Sequence, residues 1–104
     1  MFREITTEQL EALLSDNNAN INLIDVREPD EWEEGHIAQA RSIPLSQFQA
    51  RENEVYDVPG DVIFICRSGG RSGRVCEYMT SQGYDVINVD GGMLSWKGEV
   101  VTGE

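Results

Sequence analysis

The chain has 104 residues, 39% of them hydrophobic and 26% charged, which predicts one globular domain over residues 1–104 that buries a core without a metal or disulfides. Nineteen acidic and eight basic residues give a formal net charge of −11, so nucleic acid and anionic membranes are not expected as partners. The sequence has no signal-peptide pattern, no apolar run that could span a membrane and no sign of an obligate interface. We therefore expect a monomeric cytoplasmic protein with reduced thiols.

The first half of the chain predicts strands that alternate with short helices. Thr6 and Gln9 have the spacing of a capping box, and leucines at helical spacing follow them. Pro29 can open an acidic helix that Gly35 ends, and Pro44 should end the pairing of a later strand. The predicted elements are an edge strand over 2–5, a helix over 7–15, strands over 21–26 and 40–45, a helix over 30–34 between them, and a helix capped by Ser46 that runs to about residue 54.

The second half of the chain is organised around an apolar run that leads into a glycine-rich loop. Residues 62–65 are β-branched or aromatic and predict a buried strand whose last residue is Cys66. Apolar residues then recur at helical spacing as far as Gln82, and Gly83 lies where helices commonly end. The other predicted elements are a turn at 59–60, a helix over 71–82, a strand over 86–89, a helical turn over 93–97 and a tail over 98–104 that is expected to fray.

This alternation predicts an α/β domain with a central, mainly parallel sheet of four to five strands and helices on both faces. In such sheets the ligand site lies beyond the carboxyl ends of the strands. Cys66 ends one of the predicted strands, so residues 25–27 and 90–92, which follow two other strands, are expected to lie beside it. That edge of the sheet is where the sequence predicts the functional site.

Cys66 is the candidate nucleophile of this site. Unpaired amides of the loop and of the following helix would surround its sulfur, and the helix dipole would favour the thiolate. Arg67, Arg71 and Arg74 form a basic cluster on an otherwise acidic protein and indicate an anion site. The alternatives are an inert cysteine at the end of a buried strand and arginines that pair only with neighbouring acids.

Five segments, taken in order, resemble the single-domain rhodanese family. They are LIDVREPDEW at 23–32, GHI at 35–37, SIPL at 42–45, CRSGGRS at 66–72 and DGGMLSW at 90–96. Each segment is weakly specific alone, but together they cover nearly the whole chain in the family's order. The resemblance implies a single rhodanese-like domain and a sulfurtransferase.

The resemblance also implies how each residue of the loop takes part. Cys66 would accept a sulfane sulfur from a small sulfur-containing anion such as thiosulfate and pass it to cyanide, a thiol or a protein. The six-residue spacing from Cys66 to Arg71 is similar to that of this family, whereas the related phosphatases have one residue more. No metal or cofactor is implied. The implied substrate-binding residues are Arg67, Ser68, Gly69, Gly70, Arg71 and Ser72.

Four residues outside the loop are expected to have structural rather than catalytic roles. Asp25 and Arg27 should form a buried or half-buried pair that braces the loop. His36 is expected to close a hydrogen bond rather than to act as a base. Cys76 should be a packed thiol rather than a resolving partner for Cys66, because a strand end and a helix interior seldom meet in disulfide geometry.

Three other functions remain open from the sequence. The protein could be a persulfide carrier that docks on a protein sulfur donor or acceptor, a thiolate-based phosphatase or arsenate reductase, or a recognition module in which Cys66 is idle. The loop has no carboxylate that could act as a general acid, and Ile65 rather than a histidine precedes Cys66. Both features argue against phosphoryl transfer.

Overall fold

A five-stranded parallel sheet forms the centre of the computed structural model, which describes residues 2–103. The strands are β1 (Arg3–Ile5), β2 (Ile21–Asp25), β3 (Arg41–Ser42), β4 (Asp61–Ile65) and β5 (Ile87–Val89). They lie in the order β1-β5-β4-β2-β3, and every pairing is parallel. The predicted α/β class and sheet are thus confirmed. Met1 and Glu104, which the predicted domain includes, lie outside the described residues.

Helices cover both faces of the sheet. They are α1 (Thr7–Ser15), α2 (Pro29–Glu34), α3 (Phe48–Arg51), α4 (Gly70–Ser81) and α5 (Gly92–Ser95). Alternate residues of β4 point to opposite faces, so Phe64 packs in one apolar cluster and Ile63 in the other. The first cluster includes residues of α3 and α4, and the second includes residues of α1. None of the helices in residues 2–103 has the length and hydropathy needed to cross a membrane.

The first helix confirms the capping box. The Thr6 hydroxyl accepts a hydrogen bond from the Gln9 amide at 3.1 Å, and the Thr6 amide donates to Gln9 Oε1 at 2.8 Å. These two bonds satisfy amides that a helix start leaves unpaired. Leu10 of this helix is fully buried, which fixes α1 against the sheet.

The prediction of one continuous helix over 46–54 was wrong. The chain there has a 3₁₀ turn at Leu45–Gln47, the single turn of α3 and a second 3₁₀ segment at Glu52–Asp57. Ser46 does not cap a helix, because its hydroxyl donates to Glu28 Oε1 at 2.6 Å. The Arg41 guanidinium binds the carbonyls of residues 54 and 55 and so draws them away from an α-helical ladder.

The last residues of the chain were expected to fray, and this expectation was wrong for the part that the structure describes. The amide of Val101 donates to the His36 carbonyl and the amide of His36 to the Val101 carbonyl, both at 2.8 Å. The Gly103 amide also donates to the Glu33 carbonyl at 2.8 Å. These backbone bonds hold the tail against α2 and the loop that follows it.

Candidate active site

The loop that follows β4 contains the candidate nucleophile. The strand ends at Ile65, so Cys66 is the first residue beyond it rather than its last. The Ile65 carbonyl accepts a hydrogen bond from the Val26 amide at 2.9 Å, and the Cys66 carbonyl accepts one from the Met93 amide at 2.9 Å. The ends of β2 and β5 therefore converge on Cys66, as the sequence predicted.

A glycine lets α5 pack directly beneath this loop. Gly92 has φ +55°, and a Cβ there would overlap the carbonyls of Cys66 and Arg67. The next two amides of α5 donate to those same carbonyls. Because a side chain would push these groups apart, the position of the loop depends on the missing Cβ.

The sulfur of Cys66 is buried but surrounded by hydrogen-bond donors. Only 1% of the residue is exposed. The Gly69 amide donates to Sγ at 3.1 Å, and the Ser72 hydroxyl lies 3.2 Å from it. Gly69 has φ +105°, which turns the chain so that its amide and the first turn of α4 face the sulfur.

These donors decide the ionisation of the thiol. Burial raises the pKa of Cys66, because a thiolate loses its hydration. The Ser72 hydroxyl and three loop amides act in the opposite direction by donating to the charged form. The amides are those of Ser72, Gly69 and Ser68. Their combined effect is the larger one, so the pKa of Cys66 lies below its ordinary value.

The loop arginines differ in their surroundings. Arg71 forms a two-pronged ion pair with Glu31 of α2, with distances of 2.7 and 2.8 Å. The hydrogen bond from Arg71 is the main reason that the pKa of Glu31 falls to about 2. Arg67 and Arg74 are exposed, and in residues 2–103 neither of them forms an ion pair. Of the three loop arginines, Arg71 is therefore the one whose charge is engaged by an acidic side chain.

Asp25 and Arg27 form a buried ion pair at the end of β2. Arg27 Nη2 lies 2.8 Å from Asp25 Oδ2, and the two residues are 7% and 1% exposed. The same guanidinium donates to the carbonyls of Glu31 and Gly35. The pair thus fastens α2, which carries the partner of Arg71, to the sheet.

Two further residues singled out in the sequence are fully accounted for by packing. The His36 ring stacks on Trp32 with a centroid distance of 3.5 Å, and its Nδ1 donates to the Trp32 carbonyl at 2.7 Å. Cys76 is unexposed on α4, and burial raises its pKa to about 12. Both cysteines are free thiols. Residues 2–103 contain no group of three or more acidic, His or Cys side chains that could hold a metal.

The sequence analysis missed Asn88 and Glu31. Asn88 lies on β5, is 2% exposed, and accepts a hydrogen bond from the Ser72 hydroxyl at 2.6 Å. A polar residue inside the apolar run of β5 was the available signal, because a buried amide must find partners. Glu31 carries no such signal, since its partner Arg71 is 40 residues away along the chain.

Comparisons with known proteins agree with this geometry. The family described as "Rhodanese-like domain" matches residues 6–99. A Bacillus subtilis protein named "Putative sulfurtransferase YtwF" is 41% identical over 98 residues, which are 94% of this chain and 93% of that protein. A "Sulfurtransferase" of Allochromatium vinosum is 37% identical over 97 residues, 92% of this chain and 89% of that protein.

A solved structure extends the likeness to three dimensions. The crystal structure of a rhodanese-like domain protein from Staphylococcus aureus has a TM-score of 0.87 and 30% sequence identity. The match covers 99% of this chain and 100% of that one. The family match over residues 6–99 includes four of the five strands, the Cys66 loop and α5 beneath it. The chain belongs to the rhodanese-like domain family.

Proposed function

We propose that the protein is a sulfurtransferase that moves a sulfane sulfur from thiosulfate to a thiophilic acceptor through a persulfide on Cys66. The observation that carries this proposal is the set of donors directed at the buried Cys66 sulfur, which lowers its pKa. A thiolate that forms near neutral pH is the nucleophile that sulfur transfer needs. The relatives named sulfurtransferase support sulfur transfer as the general reaction.

The reaction proceeds in two displacements. The Cys66 thiolate attacks the outer sulfur of thiosulfate, a bond forms between the two sulfurs, and sulfite leaves with the electron pair of the broken bond. The outer sulfur of the persulfide carries the negative charge. An acceptor such as cyanide then attacks that sulfur, forms thiocyanate and releases the thiolate. No proton, metal or cofactor takes part in either displacement.

The loop residues have separate roles in this proposal. Arg67 is exposed beside Cys66 and attracts the doubly charged donor. The amides of residues 68–72 and the Ser68 hydroxyl then hold the transferred sulfur. Arg71 adds positive potential next to the sulfur while Glu31 holds its guanidinium in place. Asp25 and Arg27 support the loop indirectly by fixing α2.

The lack of a carboxyl group in the loop distinguishes this reaction from phosphate chemistry. A phosphatase must protonate its leaving group, and the loop of residues 66–72 carries no carboxyl group. Sulfite needs no such help, because it leaves as a stable anion. A thiolate held by donors alone therefore suits sulfur transfer better than phosphoryl transfer.

Intact mass after incubation with thiosulfate tests the proposal. The wild-type protein should gain about 32 Da, the mass of one sulfur, and lose it again when cyanide is added. Cys66→Ala should gain nothing, whereas the matched variant Cys76→Ala should gain the sulfur as the wild type does. No gain in folded wild-type protein would reject thiosulfate as the donor. A gain that persists in Cys66→Ala would reject Cys66 as the carrier.

A further inference from the structure

The hydroxyl of Ser72 has more acceptors than it can serve. Its Oγ lies 2.6 Å from Asn88 Oδ1, 3.2 Å from Cys66 Sγ and 3.4 Å from the Gly69 carbonyl. A serine hydroxyl carries one proton and can donate one strong hydrogen bond at a time. Asn88 and Cys66 therefore compete for the same donor.

The orientation of the Asn88 amide follows from its other partners. Its Nδ2 lies 2.9 Å from Glu4 Oε2 and 3.3 Å from the Gly69 carbonyl, and neither of these oxygens can donate to it. The amide nitrogen must face them, so Oδ1 must face Ser72. Asn88 is 2% exposed, and no open solvent surrounds an Oδ1 that loses its donor. Taking the Ser72 proton away from Asn88 is therefore unfavourable.

We propose that Asn88 is a positioning residue that sets the reactivity of Cys66 by competing for the Ser72 hydroxyl. While Cys66 is a thiol, Ser72 donates to Asn88. When the thiol proton leaves to solvent, the Ser72 hydroxyl rotates towards the thiolate and keeps its own proton. This inference rests on the proposed function only in taking Cys66 as the reacting sulfur.

The competition matters at each stage of the transfer. Once the persulfide forms, the negative charge lies on the outer sulfur and Cys66 Sγ no longer holds it. Ser72 can then return to Asn88, which removes one of the contacts that stabilise a free thiolate on Cys66. When the acceptor takes the outer sulfur, the thiolate reappears and the hydroxyl turns back. Asn88 thus keeps the thiolate from being stabilised so strongly that it becomes a poor nucleophile.

Few charged groups act on the cluster formed by Cys66, Ser72 and Asn88. The pKa of Arg71 is raised mainly by its hydrogen bond with Glu31 and to a smaller extent by the nearby Cys66 thiolate. Glu4 lies on the far side of the Asn88 amide. Asp25 and Arg27, at the neighbouring strand end, neutralise each other. Cys76 lies one turn beyond Ser72 on α4 and stays uncharged near neutral pH, because burial raises its pKa to about 12. Arg71 and Glu4 are therefore the charges to keep constant in a test.

Two substitutions of Asn88 should move the Cys66 pKa in opposite directions. Asn88→Leu removes the competing acceptor, so the midpoint of Cys66 titration should fall by about 0.5 pH unit. Asn88→Asp is made together with Glu4→Gln, so that two carboxylates do not meet where the Asn88 amide now binds Glu4. Compared with Glu4→Gln alone, the new carboxylate holds the Ser72 proton and repels the thiolate, so the midpoint should rise by about 1 pH unit. A merely structural role would loosen the loop in both variants and raise both midpoints.

The measurement is the rate of Cys66 alkylation by iodoacetamide between pH 4 and 10, followed by peptide mass spectrometry. Asn22→Leu is the matched control, because Asn22 is a buried strand asparagine whose amide binds the carbonyls of Val55 and Val58 instead. It should leave the midpoint unchanged. Ser72→Ala should raise the midpoint, and adding Asn88→Leu to it should produce no further shift.

Several outcomes would overturn the inference. The inference is wrong if the Cys66 midpoint rises or stays unchanged in Asn88→Leu. It is also wrong if Asn88→Leu shifts the midpoint equally in wild-type protein and in Ser72→Ala. Thermal melts identify variants that do not fold; if Asn88→Leu is one of them, Asn88→Val removes the same acceptor with a smaller side chain that suits a strand, and its midpoint should likewise fall. No sulfur donor is present in the assay, so a failure of thiosulfate transfer leaves this result unaffected and the two proposals fail separately.

Discussion

The two cysteines of the chain show what burial alone does to a thiol and what a binding loop adds. Cys66 is 1% exposed and Cys76 is 0% exposed, so burial is the same at both positions. The pKa of Cys76 is nevertheless raised to about 12, whereas that of Cys66 lies below its ordinary value. Loss of water alone therefore does not decide the pKa of a cysteine in this fold. Hydrogen-bond donors directed at the sulfur decide it.

A single helix produces both environments. The first turn of α4 leaves amides without partners inside the helix, and those of Gly69 and Ser72 point at Cys66. Cys76 lies in the middle of the same helix, where every amide already binds a carbonyl one turn earlier. It belongs to the apolar core cluster that also contains Val75, Met79 and Phe64. The helix start supports an anion, and the helix interior excludes one.

Alkylation of the folded protein gives the largest expected difference between the two thiols. The pKa of Cys76 is about 12 and that of Cys66 is below the ordinary value of 9.0, so their thiolate fractions at pH 7 should differ by at least about 1,000-fold. Iodoacetamide should label Cys66 within minutes and leave Cys76 unlabelled until the protein unfolds. Equal labelling, measured by peptide mass spectrometry, would contradict the role assigned to the loop donors.

Substitution of Gly92 should remove much of this difference. The alanine Cβ would meet the carbonyls of Cys66 and Arg67 at a positive φ, so Gly92→Ala should destabilise the protein by about 2–4 kcal/mol. The displaced loop should also raise the Cys66 pKa towards that of Cys76. Urea unfolding and the alkylation profile measure the two effects.

Gly83→Ala is the matched control for that substitution. Gly83 also has a positive φ, of +92°, but an added Cβ there would meet nothing within 4 Å. The variant should lose only about 1 kcal/mol of stability and keep the Cys66 profile. If Gly83→Ala and Gly92→Ala lost the same stability and gave the same Cys66 profile, the packing of α5 under the loop would not be what positions Cys66.

The elements that the sequence predicted well depend on local signals. The capping box at Thr6 reproduces the bounds of α1, and the apolar run before Cys66 reproduces β4 to within one residue. The alternation of such elements was enough to predict a parallel sheet and the edge at which Cys66 lies. Local pattern and final fold agree in these regions, because the same residues determine both.

The features that the sequence did not reveal depend on partners far along the chain. The helix predicted over 46–54 gives way to 3₁₀ turns because Glu28 and Arg41 bind its polar groups. The bond between Ser72 and Asn88 and the pair of Glu31 with Arg71 likewise join distant elements. No periodicity or capping signal records such contacts, so the sequence located the loop but not the groups that tune it.

The smallest expected effect concerns the ion pair that holds Arg71 beside Cys66. The pKa of Glu31 is about 2 in the folded protein, compared with an ordinary value of 4.5. The ion pair therefore stabilises the fold fully above pH 4.5, and this stabilisation is lost as the pH falls towards 2. Glu31 and Arg71 are 24% and 31% exposed, so we expect a contribution of only about 1 kcal/mol at pH 7. Urea unfolding of wild type and Glu31→Gln should therefore differ at pH 7 and converge near pH 2–3.

Glu33→Gln is the matched control for this prediction, because it removes the same charge from an exposed position of the same helix. It should change stability by less than about 0.5 kcal/mol at any pH. Glu31→Gln should also remove the main acid that opposes the Arg71 charge and so lower the Cys66 midpoint slightly while leaving Cys76 unlabelled. If Glu31→Gln raised that midpoint instead, the pair would serve to place Arg71 rather than to moderate its charge. The distinction between the two cysteines would then depend on the position of the guanidinium as well as on the helix amides.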